Sequence, residues 1–510
     1  MSDSAPLKPV RWRIGARIAA LGIAAITWVR WREEWPFQKR NMISCEVGLV
    51  TGAALVIWWL FLSRATWRTR LRVMAGALGL LALVVATVRV RGVSGDLVPE
   101  FGWRWARAAA AQAGAPASAA AAQRLRGDFP QFQGPDRTGV FAGPKLASDW
   151  SLHPPQIVWR KPIGAGWSGF VVVGDVCLTQ EQRGESECVS AFALATGEPR
   201  WVHADTAHYQ SLIAGEGPHA TPTVSGGRVF TLGSTGILNC LDLTTGHALW
   251  SQDVAAVVGG KIPEWGASSS PLIVDDLVIV HGGEHGTHSL LAFRTSDGVL
   301  VWKGGTKPSY ATPVFATLAG VPQILAFNDG SISAHDPKTG ATLWQRPWGN
   351  GSVVCASPLV LGDDRVLFSS GYGVGAEMLK VTRAGAALSV ESLWKSTRMK
   401  AKFAHLFTRD GCVFGLDDGL FACADLQDGS RHWREGRYGH GQGLVVGEHY
   451  LLMAESGALV LLRPTREAPN ELARMPVLSS KAWNPLALAG DLLLVRNDRE
   501  AVCLRLPRAE

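Results

Sequence analysis

One phrase keeps returning after residue 190: a short apolar strand, a Thr-Gly or Asp-Gly turn, then Trp four positions after the glycine. It reads Thr196-Gly197 to Trp201, Thr245-Gly246 to Trp250, Asp297-Gly298 to Trp302, Thr339-Gly340 to Trp344 and, more loosely, Asp428-Gly429 to Trp433. A unit that recurs about every forty to fifty residues excludes an ordinary single-core fold, because each copy buries its apolar face only against its neighbours. The alternatives are a solenoid and a propeller.

Two independent counts separate them. With Trp159 and Trp394 admitted, the Trp ladder has seven members, and a Trp-less strand at Glu471 to Arg474 fits as the eighth. The strand opening each unit is marked by Ser168-Gly169-Phe170, Ala220-Thr221-Pro222, Ser269-Ser270-Pro271, Ala311-Thr312-Pro313, Ala356-Ser357-Pro358, Phe403-Ala404-His405, Gly441-Gln442-Gly443 and Trp483-Asn484-Pro485, again eight. Between the markers lie apolar strands around Gly-containing turns, such as Arg228 to Leu232 followed by Ile237 to Leu241, which is the hairpin signal. Four short strands per unit is the content of a propeller blade. Gln156 to Trp159 has no three strands before it, and Leu492 to Val495 with Ala501 to Leu504 lacks a fourth. The N-terminal strand is therefore expected to complete the last blade and close the ring.

The fuller form of the phrase, Asp-x-x-Thr-Gly-x-x-x-Trp, stands at Asp242 to Trp250 and Asp336 to Trp344. It resembles the repeat of the quinoprotein (PQQ) dehydrogenases and of the related BamB-type propeller of the outer-membrane assembly machinery, over roughly residues 126–510. The resemblance implies an all-β, eight-bladed β-propeller of PQQ-like repeats whose ladder tryptophans dock between blades. For an enzyme of that family it further implies a calcium-held quinone stacked on Trp, often against two adjacent Cys, with an Asp as base. No two cysteines are adjacent here, and no Glu, Asn and Asp calcium set aligns. Trp265, in Glu264-Trp265-Gly266-Ala267-Ser268, is the candidate stacking residue for PQQ.

Composition breaks sharply before the repeats. Apolar stretches at Ile18 to Val29, Val47 to Leu62 and Val73 to Val88 are separated by basic loops, and with their flanks each suits a membrane helix. The first is short and carries Arg17 at its edge, so two spans stand as the alternative to three. Lys8, Arg11, Arg13 and Arg17 precede the first span and Arg64, Arg68, Arg70 and Arg72 the third, whereas the loop between the first two mixes Arg30, Arg32, Lys39 and Arg40 with Glu33 and Glu34. Basic loops stay cytoplasmic, so three spans place the propeller on the far side of a bacterial inner membrane. The net charge of +7 has the same origin: residues 1–107 hold 16 Lys and Arg against 6 Asp and Glu, leaving 34 against 37 for the rest. A surplus confined to membrane-flanking loops gives no footprint for nucleic acid. The domains expected are a membrane region at 1–92, an Ala-rich linker at 93–125 that is either a short helix or a flexible tether, and the propeller at 126–510.

Cys177 and Cys188, and likewise Cys412 and Cys423, stand eleven residues apart across expected hairpins. Each pair either faces across the strands as a disulfide or, with one residue of slip, is simply buried. No Cys-x-x-Cys-His points to covalent haem. His281-Gly282-Gly283-Glu284-His285-Gly286-Thr287-His288 has ligand-like spacing, but a Gly-rich turn lacks the rigid frame a metal needs, so it reads as a solvated blade turn and no metal site is assigned.

Chemistry is expected where first strands begin, since a propeller converges there on its channel. The ligand or partner candidates are His219, Tyr310, His405, His440, Trp483 and Asn484, beside Trp167, Ser168, Ser268, Cys355 and Lys402, with Arg183 and Glu216 adding charge near the same mouth. Two functions follow: a membrane-anchored binding or assembly module engaging a cell-envelope protein or small ligand, or a membrane-bound quinoprotein dehydrogenase oxidising an alcohol or sugar.

Overall fold

Each Thr-Gly phrase forms the turn between the third and fourth strands of a four-stranded antiparallel sheet. In the computed structural model, which describes residues 10–32, 34–105, 127–283, 288–349 and 353–509, eight such sheets follow in order. They occupy residues 171–206, 223–253, 272–304, 314–347, 359–396, 407–437 and 442–476 as blades 1 to 7. Blade 8 takes its first three strands from 487–505 and its fourth from Gln156–Pro162, which pairs antiparallel with Glu500–Arg505. The ring is closed by its own ends, as the strand count requires.

A β-bulge explains how the ladder is aimed. In every blade the residue before the Trp position is left out of the register: Ala191 faces Trp201 and Phe192 faces Pro199, Cys240 faces Trp250 and Leu241 faces Ala248, and Cys503 faces Trp159 and Leu504 faces Ile157. Blade 7 has the bulge too, with Ala473 where the others carry Trp. The extra residue turns the indole toward the next blade. There it lies against the glycine of the next Thr-Gly turn and donates its Nε1 hydrogen to the carbonyl three residues earlier. Trp159 bonds Leu194 O at 2.8 Å, and Trp201 bonds Leu243 O, Trp250 Thr295 O, Trp302 Pro337 O and Trp394 Leu426 O, each at 3.0 Å. At Gly246, φ is +73° and an added Cβ would lie 2.3 Å from the Trp201 ring, so turn geometry and packing both demand glycine. The Asp of the phrase organises the same turn: Asp242 Oδ1 accepts from the backbone N–H of Thr244 and Thr245 and from the Thr245 hydroxyl, at 2.8–3.0 Å.

Apolar side chains of facing blades fill the spaces between sheets, so the core is an annulus of interfaces. Phe230 and Leu238 of blade 2 meet Val280 and Phe293 of blade 3, for example. The cysteines belong to these layers. Cys177 faces Phe192 and Cys188 faces Glu181, while Cys412 faces Asp425 and Cys423 faces Phe414, so neither pair stands opposite and all are free thiols. The registers correct the disulfide alternative in favour of burial.

Residues 127–147, which no repeat signal covers, run across the channel at the C-terminal ends of the first strands. Phe129 bridges to Val172 of blade 1, Pro130 O accepts from Val224 N of blade 2, and Arg137 donates to Ser270 O and Pro271 O at the start of blade 3. Val140–Phe141 then pairs in parallel with Val445–Val446 of blade 7, and Leu146 bridges to Arg508 beyond blade 8. Phe129 is 1 % exposed. This segment is a plug, and it turns a ring with a hole into a cup.

The chain divides into two compact units, Met1–Ala108 and Ala109–Glu510. The first holds three helices long and apolar enough to cross a membrane: α1 (Trp12–Trp31), α2 (Phe37–Ile57, prolonged as a π-helical turn to Leu62) and α3 (Trp67–Thr87). Close packing of α1 on α2 depends on small residues, since a Cβ on Gly22 would lie 2.4 Å from Thr51 Oγ1 and one on Gly15 2.6 Å from the Trp58 ring. Val88–Val93 pairs with Pro99–Trp103 as a hairpin, where composition alone begins the linker. The Ala-rich run 107–122 lies outside the described residues, as do Lys8, Glu33 and the Glu284 to Thr287 portion of the histidine-containing segment.

Candidate functional site

Because the plug fills one end, the other end of the channel is a blind cavity of about 180 Å³. Its wall is built from the residues just before each first strand, where the chain leaves one blade and enters the next. Trp167, His219, Trp265, Tyr310, His405 and Trp483 come from those junctions, and Phe132 of the plug supplies part of the floor. A two-stranded turn, Gln210–Ser211 with Gly215–Glu216, brings Ile213 and Ala214 to the rim. The rings pack in two groups: Trp265 lies 5.5 Å from Tyr310, and Trp483 lies 4.8 Å from Trp167 and 5.2 Å from Phe403.

Burial keeps every titratable group of the lining uncharged near neutral pH. Desolvation lowers His219 to about 4 and His405 to about 3, the latter with help from the nearby Arg137 guanidinium. The same cause raises the Cys355 thiol to about 12 and pushes the Tyr310 and Tyr372 hydroxyls above their ordinary value. Cations stand next to two of the rings instead: Lys481 Nζ lies 4.0 Å from the Trp483 ring centre and Lys402 Nζ 4.5 Å from that of Tyr372.

Tyr372 is the strained member. It holds a left-handed backbone, φ +57°, between Gly371 and Gly373, a conformation costing a bulky residue about 1–3 kcal/mol. Neither Tyr372 nor Phe132 is marked by the repeat pattern, and only the flanking glycines of Tyr372 hint at a special turn.

The sequence candidates divide by position. Trp265, His219, Tyr310, His405 and Trp483 meet around the cavity, with Trp167, Ser268 and Cys355. Arg183 instead pairs with Glu181 at 2.5 Å on the wall of blade 1, and Glu216 pairs with His208 at 3.2 Å on the rim turn. His440 is 2 % exposed, with its ring 5.7 Å from Phe403. Asn484 is a fastener: its Nδ2 donates to Gly166 O and Ser168 O, both at 2.9 Å, and ties blade 8 to blade 1. His281, read from sequence as solvated, is 4 % exposed and accepts from Ser309 N at 3.4 Å. No cluster of three metal-ligating side chains occurs among the described residues.

A quinone held by calcium is a poor match to this wall. Calcium takes six to eight oxygen ligands, carboxylates foremost, and an anionic quinone needs cations in its pocket. Among the described lining residues there is no Asp, Glu, Lys or Arg. Trp265 offers a stacking face without the charged set that would hold the group.

Comparison with known proteins places the fold. Among solved structures, the quinohemoprotein alcohol dehydrogenase from Comamonas testosteroni is similar with a TM-score of 0.54 and 11% identity, covering 76% of this chain and 82% of that one. The quinohemoprotein alcohol dehydrogenase ADHIIG from Pseudomonas putida HK5 gives 0.53 and 12%, covering 75% and 81%. BamB from Moraxella catarrhalis gives 0.49 and 18%, covering 70% and 99%. At such identities the likeness is one of fold. No curated protein matches. Residues 157–435, more than half the chain, match the model of the PQQ-repeat family described as outer membrane protein assembly factor BamB, and the chain belongs to that family.

Proposed function

We propose that this protein is a membrane-anchored propeller that works as a binding module outside the cytoplasm, with its aromatic cup as the receiving site. The observation that carries this reading is the chemistry of the cup: rings and neutral polar groups line it, and among the described lining residues no carboxylate or cation is set to hold calcium and an anionic quinone. The three apolar helices supply the anchor, and the basic loops before α1 and α3 support an outward-facing propeller. Family membership favours the same reading, since the matched model is described as an assembly factor.

Calorimetric titration of the full chain in detergent with quinone and Ca²⁺ tests the choice. The expected result is no saturable heat and no dye-reducing activity. Tight stoichiometric binding that is lost in Trp265→Ala would establish the dehydrogenase instead. Protease added to intact spheroplasts is expected to cut the propeller, and protection until lysis would reverse the orientation.

A further inference from the structure

The cup's chemistry narrows what it accepts, given the binding-module reading above. Most polar atoms of its wall are engaged within the wall: Trp167 Nε1 donates to Ala214 O at 2.6 Å, Trp483 Nε1 to Glu455 Oε1 at 2.9 Å, and Ser268 Oγ to Tyr310 O at 3.0 Å. On the side of blades 3 to 5 this changes. There Trp265, Tyr372 and Cys355 line the cavity, and their indole N–H, hydroxyl and thiol hydrogen-bond to none of the described residues; beside them His219 Nε2 of blade 2 is buried without a partner among the same residues. Tyr372 is also the residue held in a left-handed backbone, and strain of this kind gathers where a side chain must be presented to a ligand.

Size and charge set the other limits. An apolar cavity of roughly 150 Å³ admits one benzene ring, so about 180 Å³ suits a single substituted ring or a compact bicycle. A carboxylate or ammonium group entering this wall would lose its water and meet no charged side chain among the described lining residues. The lysines next to Trp483 and Tyr372 further discourage cations.

We infer that the cup is a site for one uncharged planar aromatic molecule, a phenol or an indole. Its ring stacks among Trp265, Tyr310 and Trp483, and its polar substituent is received by Trp265, Tyr372 and Cys355.

The test is titration of the full-length protein in detergent with p-cresol and with indole, followed by calorimetry and Trp fluorescence. Both are expected to bind saturably at one site, and the charged twins p-toluate and 4-methylbenzylammonium at least about tenfold more weakly. Tyr372→Phe is expected to weaken p-cresol about tenfold and leave toluene unchanged, a split that a purely structural role would not give. Trp265→Ala should abolish both, with Trp265→Phe retaining toluene as the control for folding. Equal affinity for a charged twin overturns the inference, as does no saturable binding of either neutral ring at millimolar concentration. Capture of an aromatic-bearing peptide with no affinity for free rings overturns it in favour of protein recognition. Failure of the free rings leaves the binding-module reading intact, whereas tight binding of quinone with calcium would remove that reading itself.

Discussion

Around the rim of the propeller one contact is repeated, while at the mouth of the cup the group presented changes from each blade to the next. Trp201 on Gly246, Trp250 on Gly298 and Trp302 on Gly340 are the same solution in different blades. The junctions that feed the cup supply His219, Trp265, Tyr310, Cys355, His405 and Trp483 in turn. Rim positions answer only to the neighbouring blade, so they are held to one geometry. Junction positions face a shared cavity, so each is free to differ. The rim's own exceptions obey the same logic. Trp344 leans toward a blade whose long hairpin, Gly375–Ala384 with Ala387–Ser396, has no Thr-Gly turn, and its Nε1 turns back to Gln323 Oε1 at 2.8 Å.

The contrast can be broken most forcefully at the plug, which belongs to neither class. Phe129→Ala removes a ring that is 1 % exposed, at an expected cost of about 3–5 kcal/mol, read as a fall in denaturation midpoint. A neutral result would mean that the plug lies on the ring without holding it. Next comes the rim. Gly246→Ala forces a left-handed alanine and drives a Cβ into Trp201, for an expected loss of about 2–4 kcal/mol. Gly226→Ala, at φ +55° with open space around it, should cost only about 1 kcal/mol. Equal losses at the two sites would show that the turn alone matters and the indole contact does not.

Acid offers a smaller lever, at a histidine that ends the second strand of blade 3 and accepts from Ser309 at the junction into blade 4. Burial beside His335 holds His281 at about 4, below its ordinary 6.5, so it stays neutral in the fold while the unfolded chain takes up a proton. Its contribution is therefore complete above pH 6.5 and is lost as the pH falls toward 4, by about 1–3 kcal/mol. His281→Asn should flatten that part of the stability profile, and an unchanged slope would transfer the effect to other groups. The smallest effect is expected at Trp394→Phe, which keeps the ring and deletes the bond to Leu426 O, for about 1 kcal/mol in urea melts.

Blade number and closing strand were legible because the phrase that encodes them is local: glycine, bulge and Trp fall within a few residues. The apolar helices were legible for the same reason, by length and composition. What escaped depends on distant partners. The plug bonds through backbone to blades 1, 2 and 7, and a backbone contact leaves no mark on side-chain pattern. Cys177 and Cys188 share a hairpin, but its register places Phe192 opposite Cys177, and spacing does not reveal where a turn sits. Candidates at first-strand junctions were placed by the blade count, which brought His219, Tyr310 and Trp483 to one cavity. Asn484 was placed by the same count, but its amide is taken up by Gly166 O and Ser168 O of the neighbouring blade, and Arg183, picked for its charge, is paired with Glu181 of its own strand.

The strand that finishes blade 8 also sets a timetable. Gln156–Pro162 leaves the ribosome early, yet its partner Glu500–Arg505 is made about 340 residues later, roughly 20–70 s at ordinary rates of synthesis. For that interval an unpaired edge stands ready to join any passing strand. The last blade is thus the protein's vulnerable moment, and its birth requires either a guardian for that edge or speed.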